Sequence, residues 1–252
     1  MKVSIITISY NRVSCIENAI RSVLSQTYSD VEYIIVDGAS TDGTQQVIGK
    51  YTNKIDKYLS EPDKGMYNAL NKAVRMSSGD IIGLLHSDDS FYDEKTIERY
   101  VQAFQETNAD IVYANGQYVD AFTGKVKRIY RAKLFKKRYL YCGWIPLHTT
   151  IFVKKEVLEQ YGLYDEQYNI AADYEISLRW FMQPELKKHF MNDWVVKMKL
   201  GGKSTTAALQ KQKSAEDFDI IRKYNLCGYF TLCMKIFRKI PQYIIPHINT
   251  YK

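Results

Sequence analysis

Short apolar runs alternate with segments of helical spacing through the first half of the chain. The runs are rich in Ile and Val and have the length of buried strands, whereas the segments between them repeat apolar residues at helical intervals. This alternation predicts an α/β fold with a doubly wound, mostly parallel sheet and helices on both of its faces. The predicted strands cover residues 3–9, 31–36, 57–60, 81–85 and 111–114, and the predicted helices cover 13–26, 44–51, 66–76 and 96–107.

The second half of the chain has a different pattern. Residues 125–138 contain eight Lys or Arg side chains and no acid. Beyond this basic run, the apolar spacing predicts a strand at 151–153 and helices at 156–161 and 174–182. From about residue 209 the pattern is helical throughout, which predicts a helical C-terminal extension behind the α/β domain.

Composition limits the class of protein. A chain of 252 residues, 46% of them apolar, can form one sizeable core plus an extension. The net charge of +7 indicates attraction to phosphates, nucleic acid or an anionic membrane surface. The chain starts without an apolar signal-peptide region, has no run of about 20 apolar residues, and spaces its four cysteines unlike a metal site. We therefore expect a cytoplasmic protein with reduced thiols and no membrane span.

Two adjacent acids, Asp88 and Asp89, follow the apolar run at 81–85. Burying an unpaired carboxylate is costly, so we expect the pair in an open cleft at the carboxyl end of that strand, where α/β sheets bind ligands. Carboxylate oxygens suit Mg²⁺ or Mn²⁺, and such a cation can hold a phosphate. The alternative is that the two acids cap the following turn. His86 could add a nitrogen ligand or line the cleft.

Two further acids are candidates for chemistry. Asp37 ends the second predicted strand, where it could bind a ribose hydroxyl or a base N–H, or cap its own turn through Ser40. Asp173 opens a predicted helix, where it could be an N-cap or a general base that takes a proton from an attacking hydroxyl. Spacing alone does not separate Asp173 from Asp165 or Glu175.

The basic run and the tail suggest surface contacts. The run at 125–138 has too few interleaved aromatic residues to favour nucleic-acid binding, so we predict either a solvated loop or a contact with phosphate or an anionic membrane. The tail at 229–240 mixes apolar residues with a basic fringe and could be an interfacial helix. It could equally pack on the domain or on a second subunit, which leaves a homo-oligomer open.

Taken together, these segments resemble the family 2 glycosyltransferases of the GT-A fold. The resemblance extends over roughly residues 3–205, and the ordered set of motifs is specific although each motif alone is weak. The Ser-Glu-Pro-Asp-Lys-Gly motif at 60–65 is similar to members that build bacterial surface polysaccharides. The matching segments are 4–12, 22–28, 32–44, 60–65, 68–73, 86–89, His148, 162–166, 172–174 and the Gly-Gly-Lys-Ser motif at 201–204.

The resemblance implies inverting transfer of a sugar from a nucleotide-sugar donor to a hydroxyl of a saccharide or a lipid-linked saccharide. It implies a catalytic domain at 1–208, with a nucleotide-binding half at 1–115 and an acceptor half at 116–208, followed by the extension at 209–252. Such an enzyme would work in capsule, exopolysaccharide or lipopolysaccharide assembly. The basic run at 125–138 and the tail add the expectation of a peripheral contact with the inner face of the cytoplasmic membrane. No nucleic-acid partner is expected.

The resemblance also implies residue roles. Asp173 would be the catalytic base. Asp89 and Asp88 would bind Mn²⁺ or Mg²⁺ on the donor diphosphate. The implied donor-binding residues are Tyr10, Asn11, Arg12, Asp37, Asp63, Lys64, Ser87 and Asp88, and the acceptor-side candidates are Trp144, His148 and Tyr174. The chain departs from the family at His86, where an Asp is common, and at Ala172, where a Glu is common.

Two other functions compete with sugar transfer. A sugar-1-phosphate nucleotidyltransferase is also α/β and metal-dependent, but it usually needs a glycine-rich basic phosphate loop early in the chain, and none occurs at 4–12. A non-catalytic subunit that binds sugar nucleotides is disfavoured because Asp88, Asp89 and Asp173 are all present.

Overall fold

The computed structural model describes residues 1–200 and 207–248. The motif at 201–204 therefore lies outside the described residues. The strands are β1 (Val3–Ser9), β2 (Val31–Asp37), β3 (Lys57–Ser60), β4 (Ile81–Leu84), β5 (Ser90–Phe91), β6 (Ile111–Val119), β7 (Val126–Tyr130), β8 (Ile151–Lys154) and β9 (Lys188–Lys199). The helices are α1 (Ile16–Leu24), α2 (Thr44–Gly49), α3 (Met66–Met76), α4 (Thr96–Thr107), α5 (Arg138–Tyr141), α6 (Lys155–Tyr161), α7 (Ala172–Met182), α8 (Ala207–Lys223), α9 (Gly228–Phe237) and α10 (Ile240–Ile248).

One sheet organises the domain, in the order β3-β2-β1-β4-β8-β6-β9-β5, with β7 paired to β6. The first four strands in this order are mutually parallel. Strand β8 then runs antiparallel to both β4 and β6, and β9 is parallel to β6. The predicted α/β fold class is confirmed. The parallel strands form one half of the sheet, which includes β2 and its last residue, Asp37.

The core has two layers because the sheet is covered on both faces. Every residue of β1 is buried, as expected for a central parallel strand whose sequence is almost continuously apolar. Successive residues point to opposite faces, so Ile5 packs in the layer that contains α1 and α4, and Ile6 packs in the layer that contains α3 and α7. The parallel register aligns Ser9 with Asp37 and Asp37 with Ser60. The loops that follow these three strands therefore meet at one edge.

Several predicted segments differ from the structure; strand β6, for example, continues to Val119 and does not end at residue 114. Helix α1 begins at Ile16 rather than at residue 13, because residues 12–16 first form a turn closed by the N–H of Ile16 on the carbonyl of Arg12. The basic run at 125–138 is not a single loop, since it contains β7 and the first residue of α5. Helix α7 begins at Ala172, so Asp173 lies inside the first turn and is not the N-cap, which is Ala171.

The C-terminal extension is helical, as predicted, and packs back on the domain. Glu216 of α8 accepts the backbone N–H groups of Ile170 and Ala171, both at 2.9 Å, and so caps the N-terminus of α7. Arg128 of β7 donates to the side-chain oxygen of Gln242 of α10 at 2.8 and 2.6 Å. Across residues 1–200 and 207–248, no helix has the length and apolar character that a membrane span needs.

Candidate active site

The acidic pair lies in the turn between β4 and β5, at the edge predicted from the sequence. The N–H of Asp89 donates to the carbonyl of His86 at 3.0 Å, which closes the turn. Asp89 is 4% exposed, whereas Asp88 is partly open to the cleft. Burial, and then the charge of Asp88, raise the pKa of the Asp89 carboxyl well above its usual value. Holding two carboxylates this close together costs electrostatic free energy, which a bound cation would offset.

The donor set at this corner fits a hard divalent cation. Within the part of the chain that the structure describes, no three His, Cys, Asp or Glu side chains cluster so as to hold a metal by themselves. Mg²⁺ and Mn²⁺ commonly take only one or two carboxylates from the protein and fill their remaining positions with water and substrate phosphates. Asp88 and Asp89 can supply those carboxylates, and Asp88 is the more accessible of the two.

Asp37 orders the loop that follows β2. Its carboxylate accepts the N–H and the hydroxyl of Ser40 at 2.8 and 2.5 Å, and the hydroxyl of Ser60 at 2.9 Å. The turn-capping alternative is therefore observed, and Asp37 itself is fully buried. In this structure the three hydrogen bonds hold the loops after β2 and β3 together.

The loops after β1 and β2 are tied together through Asn11. Its N–H donates to the Ser40 hydroxyl at 2.8 Å, and its side-chain oxygen accepts the N–H of Thr41 at 2.9 Å. Its φ of 52° is in the left-handed region that Asn tolerates. The N–H of Arg12 donates to the Thr44 hydroxyl at 2.7 Å, which ties the same two loops at a second point.

Tyr10 and Asp63 flank the backbone of Gly38. A Cβ atom added at Gly38 would lie 3.1 Å from Asp63 Oδ2 and 3.3 Å from Tyr10 Cδ2, so a larger residue would disturb both. Tyr10 is 52% exposed at this edge. Asp63 pairs with Lys72 of α3 at 2.5 Å. The sequence analysis missed Lys72, because nothing in the spacing of these residues signals the contact. Lys64, beside Asp63, is exposed.

Asp173 lies across the cleft from the acidic pair, in the first turn of α7. Its Oδ2 is 3.3 Å from Nδ1 of His148, and its Oδ1 is 3.3 Å from the hydroxyl of Tyr67. The other ring nitrogen of His148, Nε2, is 2.9 Å from Nε2 of His86. A continuous chain of side chains therefore joins Asp173 to the turn that contains Asp88. The Asp173 side chain is 24% exposed, so it remains accessible to a ligand.

The surroundings of Asp173 keep its carboxylate ionised. Burial raises the pKa of Asp173, but the charges of Lys213 and Lys235 act in the opposite direction and hold the pKa below its usual value. Lys213 belongs to α8 and Lys235 to α9. Two helices of the C-terminal extension thus contribute to the electrostatics of the predicted base.

The structure separates Asp173 from its two neighbours in sequence. Glu175 is 1% exposed, and its carboxylate forms ion pairs with Arg179 and, at 3.0 Å, with Lys223. Asp165 pairs with the same Lys223 at 3.3 Å. Both acids therefore tie α8 to the domain, whereas Asp173 faces His148 in the cleft.

Five predicted site residues are buried: Asp37 and Asp89, described above, and Trp144, Tyr174 and Ser87. Trp144 is 2% exposed and packs edge-on against Tyr113 of the core. Tyr174 is 3% exposed, with the ammonium of Lys235 3.1 Å from its ring centroid. Ser87 is 5% exposed. Both aromatic rings are packed inside the protein in this structure, and their acceptor-side role stays a prediction.

The fold with these acids at its edge is that of GT-A glycosyltransferases. The chain superimposes on Staphylococcus aureus TarS, residues 1–349 in complex with UDP, with a TM-score of 0.67 and 18% identity, covering 89% of this chain and 70% of that one. It superimposes on the mannosyltransferase PcManGT of Pyrobaculum calidifontis, in complex with GDP-Man and Mn²⁺, with a TM-score of 0.68 and 17% identity, covering 97% and 73%.

Sequence comparison identifies the family. The glycosyl transferase family 2 model matches residues 4–162. An uncharacterized glycosyltransferase of Mycobacterium tuberculosis is 30% identical over 179 residues, which are 70% of this chain and 68% of the relative. A PGL/p-HBAD biosynthesis glycosyltransferase of the same species is 29% identical over 216 residues, 81% and 79% of the two chains. The chain belongs to glycosyl transferase family 2 and is a glycosyltransferase.

Proposed function

We propose that this glycosyltransferase transfers a sugar, with inversion, from a nucleoside diphosphate donor to an acceptor hydroxyl. The observation that carries the proposal is the chain of contacts that runs from Asp173 through His148 to His86, two residues before Asp88 and three before Asp89. A base on one side and a diphosphate site on the other are what a direct displacement requires. No protein nucleophile is needed, because the acceptor oxygen itself forms the new bond.

The proposed donor site uses the loops at the strand edge. The nucleoside would lie beside Tyr10 and Asp63, with Asp37 and Asn11 holding the loops under it. The diphosphate would reach the corner at Asp88, near Arg12. A Mn²⁺ or Mg²⁺ ion held by Asp88 and Asp89 would stabilise the negative charge that develops on the leaving diphosphate.

The proposed reaction uses Asp173 as general base. Its carboxylate accepts the proton of the acceptor hydroxyl while that oxygen attacks the anomeric carbon. The bond between the anomeric carbon and the diphosphate oxygen breaks, and the nucleoside diphosphate departs on the opposite face with the bonding electrons. The configuration at the anomeric carbon is therefore inverted.

Product analysis tests this function. With UDP-, GDP- and dTDP-sugars, Mn²⁺ and saccharide acceptors, we expect release of the nucleoside diphosphate, and nuclear magnetic resonance should show an inverted linkage in the product. UDP, UDP-GlcNAc and GDP-Man are bound by the structural neighbours, and these ligands support the choice of donors. Pyrophosphate release would indicate a nucleotidyltransferase, and donor binding without any turnover would indicate a binding subunit.

The acceptor is proposed to be a saccharide or a lipid-linked saccharide of the bacterial cell envelope. One relative is named for PGL/p-HBAD biosynthesis, and this relative supports a biosynthetic role for the transfer. A surface on α9 and α10, here called the tail surface, supports a membrane-bound acceptor. It carries seven exposed apolar residues, Tyr229, Phe230, Ile236, Phe237, Ile240, Tyr243 and Ile244.

We expect the tail surface to bind anionic vesicles. Apolar side chains beside basic residues insert into the interface of a charged bilayer, and Arg238 and Lys239 supply charge between α9 and α10. In a flotation assay the wild type should rise with vesicles that contain phosphatidylserine. The double variant Phe230→Asp/Phe237→Asp should stay at the bottom, whereas Phe122→Asp, at a residue 98% exposed outside these helices, should float. If the wild-type protein stays at the bottom of the gradient, the proposed binding of the tail surface to anionic membranes is refuted.

A further inference from the structure

We propose that His148 is a positioning residue that holds the Asp173 carboxylate in place for catalysis, and that His86 in turn holds His148. The inference rests on the proposed function, because it assigns roles around the proposed base. It differs from the expectation that His148 contacts the acceptor, since both ring nitrogens of His148 already have partners within the protein.

The hydrogen atoms can be assigned from the acceptors. An ionised carboxylate has no proton to donate, so the contact between Asp173 Oδ2 and His148 Nδ1 requires that His148 carry its proton on Nδ1. In a neutral ring Nε2 is then an acceptor. The 2.9 Å contact between the two Nε2 atoms therefore requires His86 to donate. Burial lowers the pKa of His148, which favours this neutral arrangement.

Tyr67 does not replace His148 in this role. Its hydroxyl lies 2.8 Å from the carbonyl of Ile170 and 3.3 Å from Asp173 Oδ1. A hydroxyl has one proton, and the shorter contact takes it. Among the described residues, His148 Nδ1, 3.3 Å from Oδ2, is then the side-chain group whose proton can orient the Asp173 carboxylate. Without it, the carboxylate could rotate toward Lys213 or Lys235, whose charges act on it.

His86 has a reason to be His in this chain. Aspartate, common at this position in the family, could not donate to Nε2 of His148 when ionised. With a carboxylate on each side, His148 would be stabilised as the imidazolium, so His86 is what allows a neutral His148 to keep its proton on Nδ1. The His86 side chain therefore links the acidic corner, two residues before Asp88, to the base on α7.

The test compares His148→Ala with His148→Asn, because the Asn side-chain amide can place a donor near the position of Nδ1. We expect His148→Ala to lower kcat about 10–100-fold, as loss of an orienting partner does elsewhere. Donor affinity in Mn²⁺, measured by calorimetry, should change less than about 2-fold, and acceptor KM should stay near the wild-type value. His148→Asn should recover part of kcat.

In a second pair, His86→Gln keeps a donor near Nε2 and should retain more kcat than His86→Ala.

A double-mutant cycle with Asp173→Asn decides whether His148 acts through Asp173. If it does, adding His148→Ala to Asp173→Asn should lower kcat by less than about 2-fold further. The inference would be overturned if the two substitutions lowered kcat by the product of their separate effects. It would also be overturned if His148→Ala kept the wild-type kcat, or raised the acceptor KM with kcat unchanged. Loss of turnover in Asp173→Asn would still support the proposed function in those cases. Full turnover in Asp173→Asn would overturn the proposed base itself.

Discussion

Replacement of Asp173 by Asn should lower kcat for sugar transfer about 10²–10⁴-fold, the range that general-base catalysis supplies. The amide keeps the size of the side chain but cannot accept the hydroxyl proton in the transition state. Because Asp173 touches the acceptor oxygen and not the diphosphate in the proposed reaction, donor affinity in the presence of Mn²⁺ should stay within about 3-fold, equivalent to about 0.65 kcal/mol. Steady-state kinetics and calorimetry measure the two quantities.

Asp165→Asn is the matched control for this variant. Asp165 lies near the same helix, has the same side-chain exposure of 24%, and pairs with Lys223 away from His148. Its replacement should leave kcat near the wild-type value. If Asp173→Asn turns over normally, or if its donor affinity collapses while kcat at saturation is retained, Asp173 is not the base.

Replacement of Asp88 by Asn should remove most of the metal-dependent part of donor binding. The partly open Asp88 is the better placed of the two acids to reach a cation on the donor diphosphate, whereas Asp89 is 4% exposed. We expect donor affinity in Mn²⁺ to fall about tenfold or more, which is about 1.4 kcal/mol, and affinity in EDTA to remain at the wild-type level. Asp89→Asn should also weaken binding in Mn²⁺, by a smaller factor. Calorimetry with and without Mn²⁺ gives both values.

The control is Asp80→Asn. Asp80 precedes the same strand, β4, so it lies at the opposite edge of the sheet, where its carboxylate accepts the N–H of Lys2 at 2.8 Å. Its replacement should leave the metal dependence intact. An Asp88→Asn variant whose affinity in Mn²⁺ equals that of the wild type would refute the assignment of the cation to this corner.

The parallel half of the sheet could be predicted because its strands are buried on both faces. Strands β1 and β2 therefore read as nearly continuous apolar runs, and their ends were predicted within one residue. Strands β7 and β9 were missed. Both mix charged and apolar residues, since many of their side chains are only partly buried, and the resulting pattern is not that of a core strand.

The positions of candidate site residues could be predicted from the sequence where those residues directly follow a strand. They could not be predicted where they depend on contacts with the antiparallel part of the sheet. Asp88 and Asp89 follow a strong apolar run, so their place at the edge followed from local pattern. The contact of His86 with His148 arises because β8 runs antiparallel beside β4, which brings the residues before β8 next to those after β4. No local pattern encodes that pairing across 62 residues.

The burial of the aromatic candidates could not be predicted for a related reason. Trp144 and Tyr174 have the flat rings expected at a sugar site, but the same rings fill cores. Which use applies depends on the neighbours that α5, α7 and α9 bring together, and the sequence does not show these. The charge that Lys213 and Lys235 exert on Asp173 likewise depends on how the extension packs.

A crystal structure of the enzyme with Mn²⁺ and an unreacted donor analogue would test the arrangement most directly. The measurement is the position of Asp173 relative to the anomeric carbon and the diphosphate. We expect the cation to bridge the diphosphate and the side chain of Asp88, with the Asp173 carboxylate on the face of the sugar opposite the leaving oxygen. A cation bound elsewhere, or Asp173 on the same face as the diphosphate, would contradict inverting transfer by this cleft.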